Sequence, residues 1–399
     1  MSISMNAMIR VMLALVLCVL AGCAVAPTAV PQAPTLPPTL TTLPATPKPA
    51  ATASASPVAE TVAPTIQKPA ALPLSELGPY QTGVRSFKFE DASRGGRKVN
   101  ITVWYPGIRP PERSSNFPTR DAAPDSRGAP YPLILSSTMV AEIFAPHLAS
   151  HGFVVAGVDG IGPYSQMNER MIDQPLDILF MLEQLASAPP PSLEGMIDAE
   201  RAGAMGYSFD GYNTLAMSGA RINPEYYLAQ CPTPDATTKA ILGKTLSAFS
   251  CAPAQEWDKF AAHAGKTITT SQDGLWQPMT DKRIRAVMPM AGEGWWLFGE
   301  KGLASVDRPT LMLAATEDEL YKENALIFEY LGASDKALIS FVGRDHMMVF
   351  DPESVARMSH FATAFFGYHL QNRQDYAKYY AKDFVEQFDA LAWGVYKTK

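Results

Sequence analysis

Hydrophobic residues follow different rhythms in different stretches of the chain, and each rhythm predicts a different element. Ser86 to Tyr105, SFKFEDASRGGRKVNITVWY, alternates apolar and polar positions on either side of Arg94-Gly95-Gly96. That pattern predicts two strands joined by a tight turn, a hairpin at the edge of a sheet, with Pro106 closing the second strand. After a polar, proline-rich stretch over Pro111 to Pro130, the run Tyr131 to Ser136 is short and continuously apolar, as in a parallel strand buried on both faces. Ala145 to Ser150 reads as helix and Phe153 to Val158 as the next strand, which makes a βαβ unit. Asp173 to Ala188 carries Leu176, Ile178, Leu179, Leu182 and Leu185 at helical spacing. Further strands are predicted over Ala202 to Met205, Ile284 to Met290, Thr310 to Ala315 and Ala337 to Phe341, with helical sequence between them. Such alternation implies an α/β fold, a mostly parallel central sheet with helices on both faces.

Two stretches depart from this rhythm. Arg221 to Lys282 is too long for an ordinary strand-to-strand connection and predicts a helical cap over the sheet. At the carboxyl end, Asp375 to Val395 places Tyr376, Tyr380, Phe384, Phe388 and Leu391 at spacings of three and four, the mark of an amphipathic helix that packs its aromatic stripe on the body, with lipid-surface contact or oligomerisation as the alternatives.

The amino-terminal region has another character. Met8 to Leu20, MIRVMLALVLCVL, is a short apolar run with Arg10 near its start, and it leads into Leu20-Ala21-Gly22-Cys23. This resembles a bacterial lipobox, in which residues 1–22 are a signal peptide and Cys23 is acylated; the alternatives are a plain cleaved signal and an uncleaved anchor. Lipid chains on Cys23 would tether the protein to a membrane outside the cytoplasm. Residues 23–79 form a Pro/Thr/Ala-rich linker. From Ala24 to Pro79 there are 13 of the 34 prolines, four charged side chains and no aromatic residue, so the stretch has nothing to pack and reads as an extended spacer or a wall-interacting or glycosylated stalk. The folded domain is then expected over 80–399, with the cap at about 221–282.

Composition narrows the function. With 399 residues, 47% of them apolar, the chain is neither disordered throughout nor a multi-span membrane protein. A formal net charge of -6 gives no reason to expect nucleic acid as a partner. Of the four cysteines, Cys18 leaves with the signal and Cys23 is taken by lipid. Cys231 and Cys251 then either pair in an oxidising compartment or stay as buried thiols. No metal-ligating constellation and no cofactor motif is present.

The chemistry is carried by Gly206-Tyr207-Ser208-Phe209-Asp210-Gly211, which follows a strand and opens a helix. A tight turn there is a nucleophile elbow: it exposes the Ser208 hydroxyl and aims the following N–H groups at developing negative charge. Asp210 occupies the second glycine position of G-x-S-x-G, so the motif is off by one residue. Asp318 follows the strand Thr310 to Ala315, and His346 lies beyond the strand ending at Phe341; the chain order Ser, Asp, His is that of α/β hydrolases. His346 would take and return the proton, and Asp318 would hold its ring. Glu317 and Asp345 are the rival acids, Asp345 being badly placed beside His346.

On these residues, and on Val103-Trp104-Tyr105-Pro106, Leu148-Ala149-Ser150-His151-Gly152-Phe153-Val154-Val155 and Asp177 to Leu185, the body from about Thr102 to Gly367 resembles bacterial platelet-activating-factor acetylhydrolase-like esterases. Dienelactone hydrolases and cutinase-like polyesterases are more distant cousins. The resemblance implies an α/β-hydrolase fold and short-chain or phospholipid-derived acyl esters as substrates. Where such relatives carry His-Gly at the oxyanion hole, this chain has Ser136-Ser137-Thr138-Met139; by correspondence Thr138 or Met139 donates one backbone N–H and Phe209 the other. Trp295, Trp296 and Phe298 either line an acyl pocket or pack beneath the cap. The reading is a serine carboxylic ester hydrolase working through an acyl-enzyme on a small-molecule or lipid ester. The alternatives are a polyesterase or serine peptidase with the same triad, or a non-catalytic surface binding protein on a hydrolase scaffold.

Overall fold

Ten strands form one sheet in the order β10-β9-β8-β7-β6-β4-β5-β2-β1-β3. The computed structural model describes residues 72–397 apart from 109–116, 163–165, 232, 237 and 241–248. The strands are β1 (Gln81–Asp91), β2 (Arg97–Gly107), β3 (Thr119–Arg120), β4 (Tyr131–Ser137), β5 (Val154–Val158), β6 (Ile197–Tyr207), β7 (Ile284–Met290), β8 (Thr310–Ala315), β9 (Lys336–Phe341) and β10 (Leu391–Trp393). Strands β4 to β9 are mutually parallel, whereas β2 runs antiparallel to β5 and to β1, and β10 antiparallel to β9. This is the α/β-hydrolase fold.

The inner strands carry apolar runs, Leu133–Leu135, Val154–Val158 and Leu311–Ala315 among them, because both their faces are covered there. In β8, Leu311, Leu313 and Ala315 join a cluster with Phe361 and Phe365 of the helix Pro352–Leu370, while Met312 and Ala314 face a second cluster with Leu297 and Ile327. Successive side chains of a strand point to opposite faces, so one short run serves both layers. The helices Thr138–Ser150 and Pro352–Leu370 cover one face; Arg170–Ser187 packs on the other, against Leu133, Leu135, Val154 and Ala156.

The connection after β6 carries short helices at Pro224–Gln230, Ala252–Gln255, Trp257–Ala264 and Lys266–Thr269, followed by irregular chain over 270–283. Trp257, Phe260 and Trp276 pack together within it, Phe260 stacked on Trp276 and Trp257 tilted against both, and a disulfide joins Cys231 to Cys251 with their Cα atoms 5.5 Å apart. Closing a loop of that length contributes about 3 kcal/mol in the chain-entropy account.

Several expectations change. The carboxyl-terminal helix over Asp375 to Val395 is not formed: Gln374–Tyr380 is a 3₁₀ segment, Ala381 is extended (φ -76°, ψ 158°), Lys382–Val385 is one helical turn, and Leu391–Trp393 is β10. The open edge of β9 offers backbone hydrogen bonds that a continuous helix could not use, and Leu391, Ala392 and Trp393 pair there with Phe341, Ser340 and Ile339. The aromatic side chains still pack inward, Tyr376 and Phe388 being buried. Strand β1 begins at Gln81 rather than Ser86, and β2 continues through Pro106 to Gly107. Residues ahead of Tyr80 also lie against the body, since Leu74 N–H donates to His360 Nδ1 at 3.1 Å and Gly78 N–H to Ser150 Oγ at 2.8 Å. Cys23, the signal and most of the linker lie outside the described residues.

Candidate active site

The elbow is built by close approach of backbones. Ser208 sits between the end of β6 and the helix Phe209–Met217 at φ 58° and ψ -120°, a region that a side-chain-bearing residue occupies only under strain of about 1–3 kcal/mol. Gly206 makes the turn possible: a Cβ there would lie 2.2 Å from the carbonyl oxygen of Asp210. Gly211 plays the same part toward β7, where a Cβ would stand 2.5 Å from Gly292 Cα.

Loops after β8 and β9 bring the other two groups to this serine. His346 Nε2 is 2.9 Å from Ser208 Oγ, and His346 Nδ1 is 2.7 Å from Asp318 Oδ2. Nothing in the sequence placed these side chains together except their order. Asp318 is fixed before it meets the ring, because its Oδ1 accepts the Leu320 N–H at 2.9 Å. Its side chain is 1% exposed against 34% for His346, so the carboxylate holds the ring from the protein interior while the imidazole stays partly accessible. The rivals are elsewhere: Glu317 is exposed, and Asp345 spends its carboxylate on the Met347 N–H at 2.9 Å. With Nδ1–H donating to Asp318, Nε2 is left to accept the Ser208 proton.

Asp210, the residue that spoils the simple motif, has a role that the sequence did not disclose. It is buried, and its Oδ2 accepts the Ser137 N–H at 2.9 Å while its Oδ1 accepts from Asn213 Nδ2 at 3.0 Å. Burial raises its pKa, against the lowering effect of these donors. The carboxyl group ties the elbow helix to the last residue of β4, where the chain passes without a loop from Ser137 into the helix Thr138–Ser150. Two further supports were equally silent in sequence. Tyr207 Oη donates to the His346 carbonyl at 2.7 Å, and the buried Glu323 accepts the Gly294 and Trp295 N–H groups, each at 2.9 Å. Burial pushes the Glu323 carboxyl up to about 7.

The expected oxyanion donors fall at helix starts. Thr138 and Met139 occupy the first turn of their helix, capped by Ser137 Oγ on the Val140 N–H, and Phe209 is the first residue of the elbow helix. First-turn N–H groups have no acceptor within their own helix and project from its amino end. For Trp295, Trp296 and Phe298, which could line a pocket or pack beneath the cap, the structure shows packing. All three are buried in the core, Phe298 stacked on Tyr212 with ring centroids 5.2 Å apart and Trp295 packed against Tyr226 and Tyr330. A large aromatic run after a central strand is satisfied most easily by covering that strand's own helix layer.

A sheet of this order and direction, with a strained serine at the turn after its central strand, has the α/β-hydrolase fold and a serine-hydrolase site, and the family match that follows supports a serine esterase. Residues 117–256 match the PETase family model, described as PET hydrolase-like, a stretch that holds the elbow and part of the connection after β6. No curated protein matches the chain. The family match corrects the resemblance drawn from motifs: over 117–256 it is to a PET hydrolase-like model, and not to platelet-activating-factor acetylhydrolase-like or dienelactone hydrolase-like esterases. The motifs quoted for that resemblance are common framework features and do not separate the branches. Lipoprotein export was part of the same reading, and neither the family match nor the fold supports it. Among the described residues no helix is long and apolar enough to cross a membrane.

Proposed function

We propose that the protein hydrolyses ester bonds of polyesters and of their short oligomers through an acyl-enzyme on Ser208. The observation that carries this reading is the unbroken chain Ser208 Oγ, His346 Nε2, His346 Nδ1, Asp318 Oδ2, at 2.9 Å and 2.7 Å, on a body whose 117–256 region is PET hydrolase-like. Ser208 attacks the ester carbonyl carbon as its proton passes to His346 Nε2. Asp318 stabilises the imidazolium so formed. The tetrahedral oxyanion is met by the N–H of Phe209, with Thr138 or Met139 as second donor. Collapse expels the alcohol, protonated by His346, and water admitted on the same base frees the acid. The rim suits a solid or extended apolar substrate: Met347 and Phe350, one and four positions after His346, are 36% and 50% exposed.

The test is release of soluble acid from an amorphous polyester film, with a soluble p-nitrophenyl ester measured in parallel. The enzyme is expected to release product from both, and Ser208→Ala to lose at least about a thousandfold on both. Turnover of the soluble ester with an untouched film would overturn the polyesterase reading and leave a small-ester hydrolase.

A further inference from the structure

The connection after β6 does more than cover the sheet. Phe209, directly after Ser208, faces Phe249 from this connection, with ring centroids 6.2 Å apart and the planes tilted by 42°. Both rings are part-buried. What holds Phe249 there is unusually local. Its own carbonyl accepts the Met167 N–H at 3.1 Å, the next carbonyl, of Ser250, accepts Tyr227 Oη at 2.7 Å, and the residue after that, Cys251, is disulfide-bonded to Cys231. Tyr227 and Cys231 in turn belong to one helical unit, since Tyr227 lies within Pro224–Gln230 and the Cys231 N–H donates to the Tyr227 carbonyl at 3.1 Å. Consecutive residues 249, 250 and 251 are therefore pinned to two separate pieces of the protein. Tyr227 is fully buried and Ser250 nearly so, which is the setting expected of a fixed wall and not of a mobile cover.

We propose that Phe249 is a specificity-determining residue, and that the Cys231–Cys251 disulfide positions it so that its ring and that of Phe209 form an apolar shelf for the acyl chain. This rests on the acyl-enzyme reading and adds which part of the ester is selected. An acetyl group carried by Ser208 ends beside Phe209. A longer acyl chain continues along the shelf toward Phe249, and its methylenes leave water against two rings instead of one. The shelf therefore favours extended apolar acyl groups of about six carbons over acetyl, with discrimination on the scale that a few methylenes provide.

The readout is the ratio of kcat/KM for p-nitrophenyl hexanoate to that for p-nitrophenyl acetate. Phe249→Ala is expected to lower this ratio about tenfold. Cys231→Ser/Cys251→Ser is expected to lower it in the same direction by a smaller factor, because the ring is present but unmoored. Should the double variant not fold, the native enzyme treated with dithiothreitol, with both thiols counted by alkylation, gives the same comparison. An active enzyme whose ratio is unaltered by Phe249→Ala overturns the shelf. A ratio that falls with Phe249→Ala but not on loss of the disulfide overturns the positioning role. Absence of any ester turnover by the native enzyme overturns the acyl-enzyme reading, and this one with it, so the two failures are distinguishable.

Discussion

Asp318→Asn is expected to lower kcat/KM for ester hydrolysis about ten-thousandfold while the protein stays folded. The size of this effect follows from the two bonds that the carboxylate makes. Oδ1 accepts the Leu320 N–H at 2.9 Å and Oδ2 accepts from His346 Nδ1 at 2.7 Å, so both oxygens act as acceptors. An asparagine has one acceptor and one donor. If its carbonyl keeps the Leu320 N–H, its NH₂ faces His346 Nδ1, which must then become the acceptor. The ring proton moves to Nε2 and points at Ser208 Oγ, and the base is lost without any atom being displaced. If the amide flips, its NH₂ meets the Leu320 N–H in a site where the side chain is 1% exposed, and the buried donors are left without partners. The first arrangement costs activity and little stability; only the second costs both. Steady-state kinetics with thermal unfolding on the same sample checks the split. Loss of less than about tenfold would mean that Asp318 does not orient the base.

Acid is expected to unfold the protein through histidines far from the site. His360 is fully buried in the helix Pro352–Leu370, with Nδ1 accepting the Leu74 N–H at 3.1 Å and Nε2 lying 3.3 Å from the Tyr379 carbonyl. Those partners require a neutral ring, because a proton on Nδ1 would face the Leu74 N–H. Burial pushes His360 down to about 4. Burial, with the neighbouring His151 ring, pushes His147 down to about 3. A depressed histidine contributes its full stability above the unfolded-state value, near 6.5, and loses it as pH falls toward the folded-state value. Between those limits the unfolded chain binds a proton that the native protein refuses, and each group withdraws about 1.4 kcal/mol per pH unit. For His360 alone that amounts to roughly 3 kcal/mol by pH 4, a large share of the stability of an ordinary domain. His360→Gln can accept from Leu74 and donate to Tyr379 without titrating. Denaturant unfolding at successive pH values should therefore show a slope below pH 6 that is shallower in the variant by about one proton. Identical slopes would show that His360 is not held neutral.

How much of this was legible in the sequence depends on whether the cause is local. The strands β7 and β8 run over the residues expected: β8 is an apolar run between Pro309 and Thr316, and β7, although Arg285 and Pro289 lie within it, keeps Ala286, Val287 and Met288 buried together, which is most of what a parallel strand covered on both faces needs. The triad was legible as an order of residue types after strands, and the fold converts that order into hydrogen bonds. Asp210 was not legible as a support, since its partner Ser137 is supplied by another strand. The same holds for Glu323 on the Gly294 and Trp295 amides and for His360 on Leu74. The carboxyl-terminal segment shows the converse failure: its spacing is truly helical, and an unpaired sheet edge elsewhere in the molecule outweighed it. Trp295 and Trp296 stayed open between pocket lining and packing because sequence reports size and apolarity but not what a side chain packs against.

The central claim is that Ser208 is the nucleophile, and a fluorophosphonate tests it most directly. The reagent forms a stable phosphonyl ester on a serine activated by a neighbouring base, with fluoride as the leaving group. Intact-mass measurement after reaction should show about one adduct per chain, lost in Ser208→Ala, with the adduct on the peptide that contains Gly206-Tyr207-Ser208 and with ester hydrolysis falling in proportion to labelling. An adduct on a different serine, or full ester turnover by a protein that takes up no label, would contradict the account.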